Sequence, residues 1–213
     1  QVIGTGLSLA MGVGCGVVLT SWFDRCPAGV SRPLWALGLA AAFLLALLAQ
    51  ITLHEGGHLV CGLLSGYRLC SFRVGSLMWM KVDGHLRLRR LRLAGTDGQC
   101  LMSPPDMVDG RLPVTLYNFG GALANLLTAV LALALYGPAR RVPLLAAFLL
   151  FLAVIGGFTA AMNGIPLRLG NIDNDGRNAL SLGRDPAALR AFWVQMKVAE
   201  AQARGLRLRE MPE

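Results

Sequence analysis

The chain has little charge, little lysine and few aromatic rings. Charged residues make up 15% of its 213 residues, aromatic residues 7%, and only two of the twenty basic residues are lysines. Hydrophobic residues reach 54% and the mean hydropathy is +0.54, a balance that leaves too little polar surface for a soluble domain of this size. The five cysteines, Cys15, Cys26, Cys61, Cys70 and Cys100, include no Cys-x-x-Cys pair, which excludes a zinc ribbon and implies no disulfide framework. A net charge of +8 would suit nucleic acid. In so apolar a chain it is better accounted for by membrane topology and anionic lipid headgroups, so the expected partner is the lipid bilayer and no nucleic acid is expected.

What the chain has in its place is apolar length. Four runs are long enough to cross a bilayer: Ile3 to Phe23, Leu34 to Leu53 continuing to Leu64, Leu116 to Tyr136, and Leu144 to Met162. The first lacks a basic leading region and a small-residue cleavage site, so it reads as a retained helix and not as a signal peptide. The expected fold is mainly α, a polytopic membrane protein with about four transmembrane helices plus a cytoplasmic, membrane-associated β-hairpin or small sheet. Residues 1–30 would form an N-terminal helix and loop, 31–176 the membrane core with a β-rich segment at 66–113, and 177–213 a cytoplasmic tail with an amphipathic helix. The connections around Cys26 and Gly137 carry four arginines, whereas the segment from Ser65 to Pro113 and the tail beyond Pro166 together carry sixteen basic residues. The positive-inside rule puts those two segments and the N-terminus on the cytoplasmic side. Arginine outnumbers lysine 18 to 2, a bias of GC-rich bacterial genomes, so the expected location is the bacterial cytoplasmic membrane.

At the end of the second run stands His54-Glu55-Gly56-Gly57-His58. Positions four apart share one helical face, so both imidazoles can serve one metal ion. Glu55 is one step round the helix, near enough to act as a base on water without ligating the metal. Three ionisable groups at the edge of an apolar run are costly unless they serve a function. The spacing points to Zn²⁺, held by His54 and His58, with Glu55 as the catalytic residue. A catalytic zinc site needs a third protein ligand. After the fourth run the chain reads Asn163-Gly164-Ile165-Pro166, then Asp173-Asn174-Asp175-Gly176. Pro166 stops the helix and Gly176 relaxes the backbone beside a carboxylate. Asp175 is the expected third ligand and Asp173 the reserve. Cys61, seven residues after His54, shares its face and is a conceivable further ligand, although a small apolar packing role is the plainer one. His85 reads as a surface residue.

These motifs resemble those of the site-2 protease type of intramembrane zinc metalloproteases, over roughly Leu34 to Gly176. Besides the histidine motif, Phe119-Gly120-Gly121-Ala122-Leu123-Ala124-Asn125-Leu126 is similar to the family's Gly-Pro-x-x-Asn stretch, with Ala122 in place of proline. The third motif is Asn163-x-x-Pro166 followed by Asp175-Gly176. Asn171 stands eight residues after Asn163, where the commonest form has its aspartate, and Asp175 stands twelve after. No PDZ-like or CBS-like domain is visible. The resemblance implies a zinc-dependent endopeptidase that hydrolyses a peptide bond of a membrane protein or membrane-inserted peptide near the cytoplasmic face.

Other features have two readings. Asn125 and Asn163 are polar residues within or at the edge of apolar helices. Either could bond substrate or the oxyanion, Asn163 more so by the resemblance, or bond between helices. Tyr67 to Val74, Leu77 to Val82 and Leu86 to Leu93 read as strands, with Asp83-Gly84 as a hairpin turn and a bulge at Arg89-Arg90. This element either packs on the membrane surface or offers an edge strand to an unwound substrate. The stretch from Pro186 to Arg204 reads as an interfacial or docking helix with Leu189, Phe192, Trp193 and Met196 on its apolar side. Two rival functions are a metal-binding transporter or channel, against which no repeated half is visible, and a catalytically silent membrane scaffold with a structural metal.

Overall fold

The computed structural model describes residues 2–82, 85–91, 97–169, 172–203 and 205–211. It is mainly helical, and four of its helices are long and apolar enough to cross a membrane: α1 (Val2–Phe23), α2 (Arg32–Leu64), α3 (Val114–Ala139) and α4 (Pro143–Gly164). All four expected runs are helices. Pro33 and Pro143 open α2 and α4 at first-turn positions, where proline's missing N–H costs nothing. Between α2 and α3 lies an antiparallel sheet of β1 (Arg68–Val74), β2 (Leu77–Val82), β3 (His85–Arg90) and β4 (Gly98–Ser103), in the order β3-β2-β1-β4. After α4 come the two-residue strands β5 (Arg168–Leu169) and β6 (Ile172–Asp173), then α5 (Asp175–Ser181) and α6 (Pro186–Ala203).

Two details of the sheet differ from expectation. β3 pairs with β2 without interruption from Leu86 to Arg90, so no bulge forms at Arg89-Arg90; the irregularity falls between Leu69 and Ser71, where β1 meets β4. The turn at Asp83-Gly84 and the positions beyond Leu91 that were assigned to the third strand lie outside the described residues. The fourth strand, β4, was not anticipated. It is the one that approaches the histidines, while β3 is exposed along its whole length.

α2 runs unbroken through both glycines of the histidine motif. α2 and α3 meet at Gly57 and Gly120, each of which faces the other's carbonyl so closely that a Cβ on either would collide with it. A separate apolar core ties α1, α2 and α4 together through Trp22, Trp35, Leu39, Phe151 and Ile155, and Trp35 Nε1 donates to the Trp22 carbonyl at 2.8 Å. Many leucines on the outer helix faces, such as Leu37, Leu44, Leu127 and Leu133, are exposed. That surface suits lipid better than water. α5 spans residue 176, the expected end of the core, and α6 is docked: Leu189 joins Leu112, Val114 and Leu182 in one cluster, and Met196 joins Tyr67 and Met102 in another.

Candidate metal centre and its cleft

His54 and His58 face one another across a turn of α2, with their Nε2 atoms 3.2 Å apart. Asp175, at the first turn of α5, brings Oδ2 to 3.4 Å from His54 Nε2 and 3.3 Å from His58 Nε2. Among the described residues these three form the one group of His, Cys, Asp or Glu side chains disposed to hold a metal ion.

The donor set fits a cation on two grounds. Each imidazole has its other nitrogen engaged, His54 Nδ1 with Asn125 Oδ1 at 2.7 Å and His58 Nδ1 with the Tyr117 carbonyl at 2.9 Å. Both partners are oxygens that accept, so in the neutral rings the protons sit on Nδ1 and the two Nε2 atoms point lone pairs at a carboxylate oxygen. Three acceptors so close are mutually repulsive until a positive charge joins them. The spacing agrees: ligand atoms of a tetrahedral site with metal bonds of about 2.0–2.1 Å stand about 3.3–3.4 Å apart, against the 3.2, 3.3 and 3.4 Å found here. When the positive charge is a proton on an imidazole, burial pushes the Asp175 carboxyl up, but hydrogen bonds and charge from His54 and His58 outweigh it and hold the group well below the usual carboxylate range.

Asp173, the reserve ligand, turns away and pairs with Arg168 at 3.6 Å and Arg177 at 3.1 Å. Asn174 between the two aspartates performs the splice. Its Nδ2 donates to the Met162 and Ile165 carbonyls at the end of α4, and its Oδ1 accepts from Leu167 N and from Arg177 N in the first turn of α5. Helix end and helix start are thereby capped by one side chain.

Glycines supply the remaining space. A Cβ on Gly121 would stand 2.5 Å from His54 Cε1 and 2.6 Å from His58 Nε2, and one on Gly98 would stand 2.6 Å from Glu55 Oε1. Gly176 lies against the carbonyls of Asn163 and Gly164 with no room for a side chain. Cys61 packs toward Gly120 and is not part of the metal group. His85 is exposed.

The cluster opens into a cleft of about 870 Å³. Glu55 and Asn163 line it, together with Gln99, Cys100 and Leu101 of β4 and Ala191, Phe192 and Gln195 of α6. The Cys100 backbone N–H points at the Glu55 carboxylate, and Tyr117 Oη donates to the Cys100 carbonyl at 3.4 Å. Burial pushes the Cys100 thiol up to about 12, with Glu55 and Cys70 adding to the shift, which favours the neutral thiol at neutral pH. Asn163 donates one amide hydrogen to the Thr159 carbonyl at 3.0 Å, which leaves its second N–H. Asn125 is placed differently from the expectation of a substrate contact: it is fully buried and its amide is used up by His54 and Gln50.

Sequence reasoning missed β4, Tyr117, Asn174, the α6 wall and Gln50. Only Gln50 carried a signal, as an amide within the apolar run from Leu34 to Leu53. No family model matches the chain, and neither the curated proteins nor the solved structures compared with it include a match.

Proposed function

We propose that the protein is an intramembrane zinc metalloprotease, which hydrolyses a peptide bond in or near a transmembrane segment of another membrane protein or membrane-inserted peptide. The observation that carries this reading is a three-acceptor cluster with an adjacent carboxylate outside the cluster, Glu55, opening on a cleft large enough for a peptide. His54, His58 and Asp175 would hold the metal. Zinc, when bound, supplies Lewis-acid polarisation and lowers the pKa of a water molecule.

The chain's own residues do the rest. Glu55 accepts a proton from the attacking water and passes it to the leaving amine. The second N–H of Asn163 is available to the carbonyl oxygen as negative charge develops there. A transporter is disfavoured because no repeated half is visible in the sequence, and a structural site does not need to open on a cleft.

Depth and side enter the same reading. Arg32 to His54 is a rise of about 33 Å along α2, about the thickness of a hydrocarbon core. The site would therefore lie near one membrane boundary, and the sixteen basic residues of the sheet segment and tail make that boundary the cytoplasmic one.

The deciding experiment compares the wild type and Glu55→Gln in nanodiscs and in membranes. Glu55→Gln is expected to keep its bound zinc and to lose cleavage by a factor of about 10² or more, so that a membrane-protein precursor accumulates and its fragment disappears. A variant that leaves all membrane fragments unchanged sinks the protease reading, and metal flux into sealed vesicles would establish the transporter in its stead.

A further inference from the structure

Gln50 is buried where α2, α3 and α4 meet, with 1% of its surface exposed. An amide at such a place is costly unless every group is bonded, and here each bond has a fixed direction. Gln50 Nε2 donates to the Leu152 carbonyl of α4 at 2.8 Å. A backbone carbonyl can only accept, so the Gln50 amide has one orientation, with Oε1 toward α3. There Asn125 Nδ2 donates to Gln50 Oε1 at 2.5 Å and to the Gln50 backbone carbonyl at 2.9 Å. A second backbone carbonyl thus orients the second amide and leaves Asn125 Oδ1 against His54 Nδ1 at 2.7 Å. Amide orientations are ordinarily assigned from such networks, and this one is anchored by two groups that cannot flip.

We propose that Gln50 is a positioning residue for the metal centre: it holds Asn125 in the amide orientation that keeps the His54 proton on Nδ1, so that Nε2 remains a ligand. Without the Gln50 Oε1 acceptor, only the Gln50 backbone carbonyl still holds Asn125 Nδ2, and the turned amide becomes populated. That amide donates to Nδ1, moves the ring proton to Nε2 and occupies the lone pair the metal needs. The fold makes room for this arrangement. A Cβ on Gly156 of α4 would collide with the Gln50 amide, and Thr128 of α3 adds a contact to Gln50 Oε1 at 3.3 Å. The alternative is that the amides only join helices, which is common in membrane proteins. His58 discriminates between the two, because its Nδ1 is held by a backbone carbonyl and does not depend on Gln50.

The inference rests on the reading that the cluster takes a metal, but its first readout needs none. The full chain, with its three histidines labelled with ¹⁵N in the imidazole, is placed in nanodiscs, stripped of metal and examined for tautomers by NMR. Zinc affinity is then measured by chelator competition. In Gln50→Met, His54 is expected to become a mixture of tautomers while His58 keeps its Nδ1 proton, and zinc affinity is expected to fall about 10- to 100-fold. Gln50→Glu, whose protonated carboxyl can both donate to Leu152 and accept from Asn125, restores both readouts. Should Gln50→Met not fold, Gly156→Ala displaces the same amide from α4 and is expected to shift the His54 tautomer in the same direction. An unaltered His54 tautomer with zinc affinity within about twofold of wild type, in whichever of these variants folds, overturns the proposal. Wild-type protein that takes no zinc removes the metal reading and leaves the tautomer result to stand by itself.

Discussion

Asp173, Asn174 and Asp175 are consecutive and chemically alike, yet one pairs with arginines, one splices two helices and one joins the histidines. A sequence shows that a carboxylate follows Pro166; it does not show which way each side chain of an Asp-Asn-Asp run will face, because that depends on where α5 begins. Single atoms matter in the same way at Gly98. Alanine there would press its Cβ on Oε1 and Cγ of Glu55, and the far end of a glutamate yields more readily than a strand. Gly98→Ala is therefore expected to keep fold and zinc content while displacing the proposed base, and a misplacement on the order of 1 Å costs about 10²-fold in rate. Zinc analysis beside a cleavage assay checks this; a variant that cleaves normally shows that Glu55 does not act from the position it holds here.

Whole elements were legible where their signal was local. Each spanning helix announces itself by apolar length, and the histidine pair by its spacing of four on a helix. β4 was hidden because Gly-Gln-Cys-Leu-Met-Ser has no alternation of its own; it is a strand because β1, thirty positions earlier, pairs with it from Arg68↔Ser103 to Val74↔Gly98. The Gln50 to Asn125 contact was hidden because it depends on how α2 and α3 rotate against each other across 75 positions. α5 depends on its junction with α4. Asn174→Ala removes the cap of α5 and two donors to the end of α4, which is expected to cost about 2–3 kcal/mol of stability. It should also reduce the gain in melting temperature on adding zinc, because Asp175 loses its placement. Thermal denaturation with and without zinc checks both parts, and an undiminished zinc increment would mean that Asp175 finds the metal without Asn174.

At the scale of the molecule, the proposed topology puts Cys26, between α1 and α2, on the opposite side of the membrane from Cys70 in β1. A membrane-impermeant thiol reagent applied to intact bacterial cells is expected to label Cys26, and Cys70 only after permeabilisation. Labelling in the reverse order would invert the orientation and move the cleft to the outer face. Around the cleft the elements are joined in two unlike ways. α6 is held by its apolar clusters and by polar contacts, with Ser103 donating to the buried Glu200 and Trp193 Nε1 donating to the Pro105 carbonyl at 3.0 Å. α2 and α3 instead touch backbone to backbone at Gly57 and Gly120. That seam makes the imidazoles part of the frame: a single methyl group on either glycine would part the two helices, and with them His54 from Asn125 and His58 from the Tyr117 carbonyl.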